Sequence, residues 1–285
     1  MNLEDQRSQA SKEWDDPATI AAWRKWRADG RSWSQGVTDA IVVAAALRPG
    51  QRVLDLASGS GQPAISLAKA VAPDLQVTAT DLSAGMLKIA EECAAREGIS
   101  NITFRQADAE NLPFPDGEFD VVTCRFGVMF FPDPLRALRA CRRVLKPGGR
   151  VVFVAWGSPD QAFFGATVGV LKKYVELPRP EPGAPHVFRF SELSALGSVL
   201  SEAGFEKVQS EPRSIPIAWH GPPEQFWEQF RESAAPFRKT IEDLAPDIRR
   251  RLDADVLSAL SKCYDGQQVR FNAEVVLATG VRPER

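Results

Sequence analysis

The chain has 285 residues, 44% of them apolar and 25% charged, enough to bury the core of one large α/β domain with insertions or a cap. A formal net charge of −2 and a pI of about 5.9 exclude a basic nucleic-acid footprint at whole-chain level. No apolar run reaches membrane-spanning length, and the charged start (Glu4, Asp5, Arg7) is unlike a signal peptide. Cys93, Cys124, Cys141 and Cys263 are scattered without metal-ligand spacing, so they read as reduced thiols of a cytoplasmic protein with no metal site.

Residues 1–12 are polar and expected to fray. Asp16-Pro17 pairs an N-cap with a proline at the first helical position, which predicts a helix to about Ala28, stopped by Asp29-Gly30. A second helix is expected over Gln35 to Leu47. Four of the seven tryptophans (Trp14, Trp23, Trp26, Trp33) fall in this region. They suit either a lid over a ligand or docking of the helices on the body, and packing is the commoner fate of a single Trp.

Val53 to Ala68 organises the rest of the chain. An apolar strand (Val53, Leu54, Leu56) runs into the glycine turn Gly59-Ser60-Gly61 and an apolar helix (Ala64, Ile65, Leu67, Ala68). Glycines there permit a sharp turn and leave no Cβ between loop and ligand. Gly59-x-Gly61-x-x-Ala64 also fits a dinucleotide fingerprint, and Asp81 lies twenty residues beyond Gly61, where a ribose-binding acid is expected. The loop alone is therefore ambiguous. Asp55, near the end of the strand, would repel a pyrophosphate and attract an ammonium group. No Lys or Arg lies between Val53 and Ala68 to neutralise phosphate. S-adenosylmethionine (SAM) carries an adenosine, an ammonium and a sulfonium but no phosphate, and so fits better than NAD.

The ordered motifs between Arg48 and Trp156 resemble those of class I SAM-dependent methyltransferases, in particular the ubiquinone/menaquinone-biosynthesis and natural-product group. Asp55-x-Ala57-x-Gly59-x-Gly61 is similar to that family's acidic-x-Gly-x-Gly-x-Gly motif, with Ala57 in place of the first glycine. The resemblance implies a three-layer Rossmann-like α/β sandwich: a mostly parallel seven-stranded sheet, an antiparallel last strand and helical cap insertions. It also implies that N-terminal helices help to close the cofactor site.

Gln76 to Asp81 reads as the second strand. In the family the acid at its end binds both ribose hydroxyls, and a carboxylate can accept both protons. Ser83 caps a helix over Ala84 to Arg96, stopped by Gly98. By resemblance, Leu82, Met86 and Leu87 bring apolar surface to the adenine, although Met86 equally suits ordinary helix packing. Ile102 to Gln106 is the third strand. Asp108 and Ala109 after it match the family's adenine-binding pair; the other reading of Asp108 is a turn cap. Asp55, Asp81 and Asp108 each follow an apolar strand, and parallel strand ends converge on one edge.

Leu112 to Glu118 is a turn segment, and Phe119 to Thr123 a fourth strand leaving through Cys124-Arg125-Phe126-Gly127. The resemblance places that exit beneath the methionine portion. Arg125 could hold the methionine carboxylate, bind a substrate anion, or bridge to a surface acid. Phe126, Met129, Phe130 and Phe131 are expected mostly in the core. Asp133-Pro134 opens another helix, Lys146-Pro147-Gly148-Gly149 ends it, and Arg150 to Trp156 is the fifth strand.

Residues 157–190, with Pro159, Pro178, Pro180, Pro182 and Pro185 beside Phe163 and Phe164, form an expected cap insertion with a short helix around Val168 to Val175. A helix from Ser191-Glu192 to Ala203 leads through Gly204-Phe205 into a strand to about Glu211, and Ile215 to Trp219 is a further strand or edge extension. Pro222 to Cys263 reads as helical, expected to pack with the cap, and Gly266 to Thr279 as the closing strand. The resulting division is 1–47 N-terminal helices, 48–156 SAM-binding core, 157–190 cap, 191–211 core helix and strand, 212–265 helical cap, and 266–285 closing strand and tail.

The chemistry expected is methyl transfer from SAM, leaving S-adenosyl-L-homocysteine (SAH), to an O, N or C nucleophile of a small, partly apolar molecule. His186 and His220 are the two histidines and so the candidate general bases, with Arg125 a weaker catalytic candidate. An NAD-dependent oxidoreductase and a non-catalytic SAM-binding protein are the alternatives. The sequence leaves the acceptor and the oligomeric state open.

Overall fold

The computed structural model describes residues 5, 7, 12–28, 33–181 and 183–284. The helix stop expected at Asp29-Gly30, most of the polar start and Pro182 lie outside them. Two helices, α1 (Pro17–Ala28) and α2 (Gln35–Ala45), lead into an alternation of strand and helix: β1 (Arg52–Leu56), α3 (Ala64–Ala70), β2 (Gln76–Asp81), α4 (Ala84–Arg96), β3 (Ile102–Gln106) and β4 (Phe119–Arg125). Then come a 3₁₀ turn (Val128–Phe130), α5 (Pro134–Val144) and β5 (Leu145–Trp156). The remainder is α6 (Ala162–Gly165), α7 (Val168–Leu171), α8 (Leu193–Glu202), β6 (Glu206–His220), α9 (Pro223–Ser233), α10 (Ala235–Glu242), α11 (Pro246–Ser261) and β7 (Gln268–Val281).

The seven strands form one sheet in the order β3-β2-β1-β4-β5-β7-β6. The first five run parallel; β7 is antiparallel to both β5 and β6. The central strands are buried on both faces, which is why β1, β4 and the end of β5 read as near-continuous apolar runs. Local chemistry sets the helix starts. Asp16 Oδ2 accepts from Thr19 N at 2.9 Å, Ser83 Oγ from Met86 N at 3.1 Å and Asp133 Oδ1 from Arg136 N at 2.9 Å.

Two segments take a different assignment from the sequence reading. The segment Lys146-Pro147-Gly148-Gly149 belongs to β5, because Leu145 already pairs with Phe119 before the register shifts. The two short strands expected around Glu211 and Trp219 are one continuous β6. It is the sheet edge, where Pro212 and Pro216 remove no ladder bond needed by an outer neighbour.

The helices between β6 and β7 do pack on the segment after β5. Helix α11 lies against α7, Tyr174 donates its hydroxyl proton to Asp255 at 2.9 Å, and Phe163 meets Phe226 and Phe230 at 6.2 and 6.1 Å between centroids.

The glycine loop is packed from both sides. Gly61 has φ of +104°, and a Cβ there would lie 2.7 Å from Ile65 Cδ1 and 3.3 Å from Ala90, so its absence lets α3 approach α4. Ala57 is also left-handed, at φ +50°. Its methyl occupies space that a Cβ on Gly127 would need: that atom would fall 2.4 Å from Ala57 Cβ and 2.9 Å from Cys124 Sγ. Gly127→Ala is therefore expected to lower stability by about 1–3 kcal/mol in urea unfolding. Adding Ala57→Gly should return part of that loss, because it removes one colliding methyl and left-handed strain of about 1–2 kcal/mol. Strictly additive effects would contradict the contact.

Candidate active site

The carboxyl ends of β1, β2, β3 and β4 open on one cavity of about 310 Å³. Of the residues expected there, Ala57, Gly59, Asp81, Leu82, Met86, Asp108, Ala109 and Arg125 line it. Parallel pairing causes the convergence: Leu56 sits beside Thr80 on one side and Cys124 on the other, so the next residues of each strand leave the sheet together.

Asp81 is the structural centre of this wall. Its Oδ2 accepts from Gly59 N at 2.8 Å and its Oδ1 from Ser83 N at 2.9 Å. Each oxygen keeps a lone pair for a further donor. Burial raises the Asp81 pKa, and the N–H groups of Ser83 and Gly59 oppose that rise. Gly59 is left-handed at φ +52°, and a Cβ there would reach to 3.6 Å from Met86 Cε, so glycine keeps the loop open toward the cavity. Asp108 does cap a turn, accepting from Glu110 N at 2.9 Å, and still faces the cavity.

Asp55 is not on the cavity wall. It is fully buried beneath the glycine loop, where Oδ1 accepts from Thr123 Oγ1 at 2.6 Å and Oδ2 has no partner. Its backbone carbonyl accepts from Ser58 Oγ and Thr80 Oγ1, both at 3.0 Å. The sequence reading sets its carboxylate against an ammonium; in the fold Asp55 is buried in the central strand β1 and is absent from the cavity lining. Gly61 is also absent from the lining, and the space a Cβ would take there is filled by Ile65 and Ala90.

Arg125 lines the cavity and reaches the N-terminal helices rather than a surface acid. Its Nη1 donates to Ser34 Oγ and Thr38 Oγ1, both at 3.0 Å, while Nε is unpartnered. Burial lowers its pKa to about 10, with Arg27 adding repulsion and Asp55 opposing.

The candidate bases fall elsewhere. His186 is half-buried with Nδ1 accepting from Phe188 N at 3.2 Å, and its neighbour Val187, not the imidazole, faces the cavity. His220 is exposed at the end of β6. Their spacing from the cap motifs carried no information on which way the side chains turn.

Of the two fates expected for the N-terminal tryptophans, packing and a ligand-facing position, the structure combines parts of both: Trp14, Trp23, Trp26 and Trp33 all line the cavity, and Trp26 and Trp33 also pack on other rings. Trp26 Nε1 donates to Glu232 at 2.7 Å, and its ring meets Trp219 edge-on at 5.6 Å. Trp33 stacks on Phe163 at 5.2 Å and Trp156 at 6.1 Å, and Phe126 stacks on Trp156 at 4.2 Å. Phe126, Met129, Phe130 and Phe131, expected mainly in the core, all reach the wall. Sequence reasoning missed Arg27, Gln229, Ser233 and Glu110. Glu110 is 4% exposed, ion-paired with Arg7, and accepts from Asp133 N at 2.7 Å. Its position directly after the Asp108-Ala109 pair was the available signal.

A model of the ubiE/COQ5 methyltransferase family matches residues 28–178, more than half of the chain. The chain belongs to that family. It is a SAM-dependent methyltransferase, which removes the oxidoreductase alternative. It is similar to the ubiquinone/menaquinone biosynthesis C-methyltransferase UbiE of Serratia proteamaculans, 35% identical over 189 residues that cover 62% of this chain and 74% of that one. Among solved structures it resembles the YcgJ protein of Bacillus subtilis, with a TM-score of 0.57 and 24% identity over 87% of this chain and 98% of that one. It also resembles the [4+2]-cyclase SpnF, with a TM-score of 0.54 and 27% identity over 87% and 80%. Among the described residues of the enzyme no helix is long and apolar enough to cross a membrane, and no acid, His or Cys group could hold a metal.

Burial pushes the Asp55 pKa up to about 6, against the lowering effects of Thr123, Ser58 and Arg125. A raised carboxyl favours the folded state in its protonated form. Its contribution is full below the unfolded value near 3.8 and is lost as pH rises through about 6. Relative to Asp55→Asn, the wild type should gain about 2–3 kcal/mol in denaturant unfolding between pH 8 and pH 4. A pH-independent difference would show that this carboxyl is not held neutral by burial.

Proposed function

We propose that this cavity holds SAM against Asp81, Asp108 and the glycine loop, and presents its methyl group to an O, N or C nucleophile of a small, partly apolar molecule. The observation that carries the reading is Asp81: a cavity-lining carboxylate clasped to Gly59 N–H, with one acceptor site left on each oxygen.

The residues fit the cofactor. Both Asp81 oxygens would accept the ribose hydroxyls. Asp108 would accept from the adenine amine, and the Ala109 N–H would face a ring nitrogen. Leu82 and Met86 supply apolar contact, and the Cβ-free Gly59 lets the backbone approach. Arg125 follows Cys124, the partner of Leu56 just before the loop, lines the cavity and would hold the methionine carboxylate. Asp55 acts as a positioning residue, holding the loop from beneath through Thr123 and Ser58. The cofactor supplies a methyl group on a sulfonium whose thioether departs readily, and SAH is the product.

What the chain supplies is alignment and exclusion of water. Orientation can contribute roughly 7–11 kcal/mol in favourable cases. The aromatic walls from α1, α6, α9 and α10, with Trp14 and Trp33 beside them, line the cavity over the strand ends and suit an apolar acceptor. The UbiE name of the Serratia relative describes C-methylation, which puts carbon among the acceptor atoms to be tried first. The SpnF name describes a cyclase, so a scaffold of this kind also serves a different reaction. Four free cysteines suit a reducing compartment, and we place the enzyme in the cytoplasm. We keep the divisions 1–47, 48–156, 157–190, 191–211, 212–265 and 266–285 as its working units, with the cavity lined by four of them: 1–47, 48–156, 157–190 and 212–265.

Asp81→Ala is expected to weaken SAH binding in calorimetry by a few kcal/mol, given about 1.5–3 for each charge-assisted hydrogen bond. Unchanged affinity in a folded variant removes Asp81 from the site. Methyl transfer from labelled SAM into a metabolite extract should proceed within a few-fold of wild type in His186→Asn and His220→Asn. Loss of a general base would instead lower it about 10²–10⁴-fold.

A further inference from the structure

Charge is segregated across this cavity. The acids Asp81 and Asp108 lie at the ends of β2 and β3, on one side of β1. Two guanidinium groups lie on the wall outside any ion pair among the described residues: Arg125 at the end of β4, on the other side of β1, where the buried Asp55 acts on it through the field, and Arg27 at the end of α1. Arg27 is 8% exposed and its Nε has no hydrogen-bond partner. Among the described residues neither Arg27 nor Arg125 enters an ion pair, whereas Arg7, the third arginine on the wall, is paired with Glu110. Burial lowers the Arg125 pKa first, repulsion from Arg27 second, and Asp55 opposes both.

Two buried cations on one wall are unfavourable until anions reach them, and Asp55 offsets part of that for Arg125. SAM brings one carboxylate. It also brings an ammonium and a sulfonium, so it adds no net negative charge to this end of the cavity. One guanidinium is left for a second anion, and an uncharged acceptor would leave it buried and unmatched.

The same region carries a set of rings with nearly common orientation. The planes of Trp33 and Trp156 differ by 7°, those of Trp156 and Phe126 by 11°, and those of Trp156 and Phe163 by 10°. A flat ring entering parallel to them extends the array by offset stacking, at the 4–6 Å spacings the array already uses.

We propose that the acceptor is a planar aromatic acid, its ring laid against Phe126, Trp156, Phe163 and Trp33. Its carboxylate is held by one of the pair Arg27 and Arg125, while the other serves the methionine carboxylate. This rests on the proposed placement of SAM in the cavity and adds the chemical class of the second ligand.

The test uses SAH-saturated full-length protein with 2-naphthoate and its uncharged counterpart 2-naphthamide, by isothermal titration calorimetry. The acid is expected to bind at least tenfold more tightly than the amide. One of the substitutions Arg27→Gln and Arg125→Gln should shrink that ratio below threefold while changing the SAH dissociation constant less than threefold; the other should weaken SAH. Equal affinity for acid and amide, no binding of either, or a preference that survives both substitutions overturns the proposal. Failure of SAH to bind wild-type protein overturns instead the cofactor placement beneath it.

Discussion

The hydrogen bond from Gly59 N–H to the Asp81 carboxylate is the joint on which the site depends. It ties the loop after β1 to the end of β2 at 2.8 Å, so two backbone segments far apart in sequence are held in one orientation at the mouth of the cavity. Ser83 N–H fixes the other carboxylate oxygen and so locks the turn into α4, whose own first turn is capped by Ser83. One side chain thereby sets the loop, the strand end and the helix start at once. Oxygens already oriented by the fold need no reorganisation when further donors arrive.

Beneath that joint the protein accepts local strain and a buried acid. Ala57 is held left-handed because Gly127 leaves room for its methyl, and Asp55 is buried against Thr123 with one oxygen unmatched. The sheet makes both tolerable. Central parallel strands over-determine the backbone on each side of β1, and neutralisation of Asp55 lowers the penalty of its burial. The loop is thus set from below by covalent geometry and packing, and from above by Asp81.

The roof is built differently. It comes from elements that precede the core or interrupt its closing strands: α1 and α2, α6, and α9 with α10. Rings of α1, α6, α9 and α10 and of Trp33 before α2 meet there, and Lys25 and Trp26 bond to Glu232, contacts that join chain segments about two hundred residues apart. Aromatic burial supplies cohesion there without requiring a regular interface. The result is a cavity with an acidic end on the sheet and a cationic, ring-lined end under the roof.

Local pattern determined much of this enzyme. The apolar runs of β1, β2 and β4, the caps at Asp16, Ser83 and Asp133, the glycine turn and the acids after strands two and three all follow from short-range physics, and each appears where the sequence places it. Resemblance then named the family, because those motifs occur in a fixed order. The sequence could not decide which side chains face the cavity. Asp55 and Asp81 both end apolar strands, yet one lies under the loop and the other beside it, a difference set by where each backbone leaves the sheet. The absence of His186 and His220 from the cavity lining, the convergence of four tryptophans on it, and the presence of Arg27 and Arg125 on one wall depend on contacts between distant segments. No periodicity within a segment encodes such contacts; only the packed chain brings them into being.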